Sequence, residues 1–93
     1  MKIPKKLQIA GKVYDIRMVK GFYKKTDTWA DICYSDSLIN IDSDLSEQDV
    51  GISFLHEITH GILITMGRKD LKSDEQFVEC FSELLYQVIR QTT

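Results

Sequence analysis

The chain has 93 residues, enough for one small core, and its 43% hydrophobic and 28% charged content with a net charge of −2 is that of a folded globular domain. It holds no polybasic stretch suited to DNA or RNA, and no window approaches the roughly 18 apolar residues of a membrane span, so neither nucleic acid nor a membrane is expected as a partner. Neither end shows a positively charged segment running into an apolar one; the expected compartment is the cytoplasm, where Cys33 and Cys80 are expected to stay free.

In chain order, residues 6 to 21, KLQIAGKVYDIRMVKG, are rich in β-branched residues, with Val13, Ile16 and Val19 at loosely alternating positions and a break at Ala10-Gly11. That pattern predicts a hairpin of two short strands. Residues 22 to 28, FYKKTDT, read as a loop or strand end. WADICY (29 to 34) reads as a strand, SDS as a turn, and LINID (38 to 42) as a further strand with Ile39 and Ile41 on one face and Leu38, Asn40 and Asp42 on the other. Trp29 and the other aromatics are expected in the core. Together these segments predict a small antiparallel sheet of three to four strands.

The period then changes. Val50, Phe54, Leu55, Ile58, Ile62, Leu63 and Met66 recur at helical spacing, Ser46 with Asp49 three residues on signals a start, and Gly67 signals a stop. The result is a helix of about 20 residues, apolar round most of its middle and therefore expected between the sheet and a further layer. SDEQFVECFSELLYQVIRQ (73 to 91) supplies that layer. It opens with Ser73 and Gln76 as a capping box, and its apolar face centres near Phe81, Leu85 and Val88. Strands first and two helices after predict one α+β domain over residues 1–93, a layer of sheet under two helices.

Both histidines of the chain fall in FLHEITHGIL, residues 54 to 63, four apart and bracketing Glu57. On a helix His56 and His60 share a face, while Glu57 lies about 100° round the axis beside them. Catalytic zinc takes three protein ligands and leaves a position for water; a glutamate next to the first histidine can take the proton as that water attacks a carbonyl. The spacing therefore points to Zn²⁺-assisted hydrolysis of a peptide or protein substrate, with Glu57 as general base. The plainer alternative is a pair of core histidines with Glu57 facing water. Leu63 and Met66 stand where a metzincin would carry glycine and histidine, which excludes that arrangement. The third ligand is then to be sought among Cys80 and the carboxylates Asp74, Glu75, Glu79 and Glu83.

The run LINIDSDLSEQDVGISFLHEITHGIL, followed after a short loop by DEQFVECFSELLYQVIR, resembles the small gluzincin-type, zincin-like metallopeptidases often encoded by phages and mobile elements, and more distantly the ImmA/IrrE-type metallopeptidases. The resemblance implies a minimal zincin-like fold. It also implies a third ligand on the second helix, a polar or acidic residue four positions later and an aromatic two beyond that; Glu75, Glu79 and Phe81 occupy those places, with glutamate at 79 where aspartate or asparagine is commoner. By geometry alone Glu75 falls at the rim of the helix's apolar face, about 110° from its centre, and a simple role at the positive end of the helix dipole stays open. The resemblance further implies that SLINID, residues 37 to 42, is an edge strand that pairs with substrate backbone, an ordinary interior strand being the alternative. Tyr34 and Tyr86 are both possible donors to an oxyanion, and spacing does not choose between them. A second reading is an inactive zinc-bound interaction module, whose site a fourth side chain such as Cys80 would close.

Overall fold

In the computed structural model, which describes residues 1–92, the first half of the chain forms the strands. β1 (Lys6–Ile9) and β2 (Lys12–Val19) make the expected hairpin about Ala10 and Gly11. After α1 (Phe22–Thr26) come β3 (Ala30–Cys33) and β4 (Leu38–Asp42), joined by a turn in which the Ser37 N–H donates to the Tyr34 carbonyl. The sheet order is β1-β2-β4-β3.

This sheet is mixed, not antiparallel as expected: β2 and β4 run parallel, with Ile16 opposite Ile39, while the two outer pairs are antiparallel. Parallel neighbours need a crossover, and the segment from 20 to 37, holding α1 and β3, supplies it. Alternation of side chains is the same in both kinds of ladder, so the pattern of LINID carried no direction. FYKKTDT, expected to be loop or strand end, is helical in its first five residues, too few to show a period. Phe22 pins this turn to the core, and the buried Asp42 carboxylate accepts the N–H groups of Tyr23 at 2.8 Å and Asp44 at 2.7 Å.

α2 (Glu47–Thr65) starts as expected, Ser46 Oγ accepting the Asp49 N–H at 3.1 Å. It lies between the sheet and α4 (Glu75–Thr92), and the core joins Tyr14, Ile16, Ile39 and Ile41 of the strands to Phe54 and Leu55 of α2 and Tyr86 of α4. A single turn, α3 (Lys69–Lys72), connects the long helices. The cap of α4 is Asp74 and not Ser73: Asp74 Oδ1 accepts the Phe77 N–H at 3.1 Å, whereas the Ser73 N–H is spent on the Lys69 carbonyl. No helix among the described residues is long and apolar enough to cross a membrane.

Two glycines of α2 set its fit, one on each side. A Cβ on Gly51 would meet Tyr86 Cε1 at 2.3 Å; one on Gly61 would meet only the end of the Ile9 side chain at 2.9 Å and Ile32 Cδ1 at 3.3 Å. Gly51→Ala is therefore expected to destabilise the fold by about 1–3 kcal/mol, since the ring of a buried tyrosine cannot step aside. Gly61→Ala is expected to be near neutral, the helix-propensity gain of up to about 1 kcal/mol offsetting a small shift of Ile9. Denaturant unfolding of both variants checks this; equal losses would contradict it.

The Gly51–Tyr86 contact also fixes the roll of α4. Its buried residues are Val78, Ser82 and Tyr86, while Phe81, Leu84 and Val88 are 47%, 61% and 55% exposed. Of the face expected to centre on Phe81, Leu85 and Val88, Phe81 and Val88 are thus turned toward solvent while Leu85 packs half-buried against the core, and Glu75, one turn before Val78, is turned toward α2.

Candidate metal centre

α2 and α4 run antiparallel, Gly51 lying against Tyr86 at one end and the histidines against Glu75 at the other. His56 Nε2 stands 3.2 Å from Glu75 Oε2 and His60 Nε2 stands 3.0 Å from Glu75 Oε1. The imidazole centroids are 4.9 Å apart with their planes at 65°, as helical neighbours four apart allow. The three ligand atoms lie within 4.8 Å of one another, so His56, His60 and Glu75 could together hold a metal ion. Among the described residues no fourth histidine, cysteine or carboxylate joins this cluster.

Burial pushes the His60 imidazole below its ordinary pKa, against the opposing pull of Glu75, and neutral imidazole is the form that ligates a metal. His60 Nδ1 is buried with no hydrogen-bond partner in the protein, so packing rather than an outer carboxylate orients that ring. Glu57 is 8% exposed and lines the same cleft. Burial, with the Asp31 and Glu75 carboxylates adding to it, pushes its pKa up from 4.5 to about 8.

The remaining candidates separate clearly. Asp74 is spent on its cap. Glu79 and Glu83 line the cleft beyond Glu75 without joining the cluster. Cys80 is free, exposed and on a different groove of α4 with Phe77, Phe81 and Leu84, so it does not close the site. Tyr34 lines the cleft, and burial first, then Glu57, Tyr14 and Glu75, push its pKa up to about 12. Tyr86 is instead a core residue packed on Gly51.

The cleft itself, about 930 Å³, is open between α2, α4 and β3. Here the expected edge strand is corrected. β4 is hydrogen-bonded on both sides, between β2 and β3, and it is β3 whose outer edge is free. Trp29, expected in the core, is 45% exposed and forms part of the cleft wall just ahead of β3. The sequence contained a partial signal for this: Ala30 and Ile32 alternate with Asp31, and they pair with buried Ile41 and Ile39 on the helix side of the sheet.

Fold and site together define an α+β domain whose long helices bring two imidazoles and a carboxylate to metal-binding distance at the floor of an open cleft. Comparison of the chain with protein-family models, with curated proteins and with solved structures gave no match, so functional assignment rests on the geometry.

Proposed function

We propose that the protein is a zinc-dependent metallopeptidase of zincin-like type, with His56, His60 and Glu75 as ligands of Zn²⁺ and Glu57 as the proton carrier. The observation that carries the proposal is the convergence of both Nε2 atoms on one carboxylate, with a buried glutamate beside them in an open cleft. Two histidines and a carboxylate are a donor set that zinc takes in hydrolases. Bound there, the ion would acidify a water and polarise a substrate carbonyl.

The chain's own residues account for the rest. Glu57 takes the proton from the attacking water at a carboxylate oxygen and delivers it to the departing amine. Tyr34 remains a protonated hydroxyl throughout the neutral range and faces the cleft, a donor available to the developing oxyanion. The free edge of β3 offers N–H and C=O groups to an extended peptide, which makes a peptide or protein the substrate class. With both cysteines free, the proposed compartment is the reducing cytoplasm. The rival reading, a closed structural zinc site in an interaction module, loses its closing ligand because Cys80 lies elsewhere on α4.

Incubation of zinc-loaded protein with a mixed peptide library, followed by mass spectrometry of new termini, tests this. Cleavage should cease on chelation and return on adding zinc. Cleavage indifferent to chelator would refute it.

A further inference from the structure

α4 is apolar on two faces, and the rest of the fold covers one of them. Val78, Ser82 and Tyr86 are buried, and about 130° round the axis Phe77, Phe81, Leu84 and Val88 fall within an arc of about 60°. Phe77 is half-buried and the other three are exposed. Their spacing, alternately four and three residues, is that of a heptad seam, which a helix uses to pack along another helix. The surface has the matching shape. Phe77, Cys80, Phe81 and Leu84, with Asp74 and Gln76 at one end, border a shallow hollow. Four residues at that spacing frame the hole that takes a side chain of a facing helix. The Phe77 and Phe81 rings stack with centroids 5.9 Å apart and form one wall of it.

We infer that this seam pairs with the same seam of a second copy of the chain, the two α4 helices antiparallel about a two-fold axis at the level of Ser82 and Glu83. Shape selects that occupant. In this register Phe81 faces the partner's Leu84 and Phe77 faces the partner's Val88, so every layer sets an aromatic ring against an aliphatic side chain and the helices stay evenly spaced. A parallel pair would crowd phenylalanines at one end and leave valines at the other. Charge agrees. Glu75, Glu79 and Glu83 stand in the first half of α4 and Arg90 in its last turn, so antiparallel copies bring acid toward base and oppose their helix dipoles, whereas parallel copies bring acid beside acid. The seam itself is uncharged and is bordered by Cys80, Gln87 and Gln91 on one side and Leu85 on the other, which suits an equally uncharged partner surface. The three glutamates line the cleft on the far side of α4, so both metal centres stay open in the pair. One helix face is small beside the roughly 800 Å² a side of a standard interface, so a micromolar rather than a nanomolar dimer is expected. The pairing depends neither on a bound metal nor on the peptidase reading.

Sedimentation equilibrium of the full chain, metal-free and zinc-loaded, from about 5 to 500 µM tests the pairing. The average mass is expected to rise from the 10.8 kDa of one chain toward twice that value, equally in both metal states. Phe81→Lys and Leu84→Glu are each expected to weaken association about tenfold or more, since each puts an unpaired charge into the seam. Both positions are exposed in the single chain, so circular dichroism and zinc content should match wild type. A chain carrying both substitutions is expected to recover to within about threefold of wild type, because the antiparallel register sets each new cation against the other copy's new anion. Val13→Glu, at an exposed apolar position on β2, should leave association unchanged within about twofold. A single-chain mass throughout would overturn the dimer, and association that needs zinc would overturn the seam as its basis. A double variant no tighter than either single would overturn the antiparallel register. A loss in Val13→Glu equal to that in Leu84→Glu would overturn the assignment to α4.

Discussion

Glu57→Gln is expected to retain zinc and to lose hydrolysis by about 10²–10⁴-fold or more, because the amide matches the carboxylate in shape but cannot carry a proton. The zinc ligands are untouched, so metal content separates a chemical defect from a structural one. Undiminished turnover in this variant would sink the mechanism. The same substitution has a second readout in metal-stripped protein, where the pKa of Glu57 is raised from 4.5 to about 8. Below pH 4.5 the carboxyl is protonated whether the chain is folded or not, and wild type and variant should differ little in this respect. As pH rises toward 8 the unfolded chain releases the proton while the folded one retains it, so wild type loses stability, and above 8 the loss levels off. Chemical denaturation in chelator across this range should show the variant gaining on wild type with rising pH, by on the order of a few kcal/mol at the plateau. A pH-independent difference would contradict the burial argument.

Glu75→Ala is expected to weaken zinc binding by more than the roughly 10–100-fold typical of losing an outer partner, since it removes one of three ligands. Glu79→Ala should change affinity by less than about tenfold. The Glu75 side chain is 66% exposed, so its contacts with the histidines contribute little to folding, and metal loss should not be confused with unfolding. Competition of each variant with a chromogenic chelator measures both. Similar losses in the two variants would show that the third ligand is wrongly assigned.

The two histidines of HEITH, the Ser46 cap and the spans of both long helices were legible because each is local: a spacing of four, a side chain bonding three residues on, a repeating apolar interval. Glu75 was legible only through family resemblance. Its bottom-up position at the rim came from averaging all apolar residues of α4, which assumes that all are buried. The structure rolls the helix so that Tyr86 fills the space opened by Gly51, 35 residues earlier in the chain by their numbers, and that long-range contact turns Glu75 inward and Phe81, Leu84 and Val88 outward. The parallel pairing of β2 with β4 and the exchange of edge strand from β4 to β3 escaped for a related reason. Period-2 alternation states which face a residue occupies but says nothing of which strand lies alongside. Trp29 escaped because a large aromatic is more often buried, and here it walls a cleft.

The most direct test of the metal centre is the zinc content of untagged wild-type protein after equilibration with equimolar zinc and desalting. About one zinc per chain is predicted, from three ligands converging at a single site. Protein that emerges without zinc would contradict the account and return His56, His60 and Glu75 to the role of a hydrogen-bonded cluster between two helices.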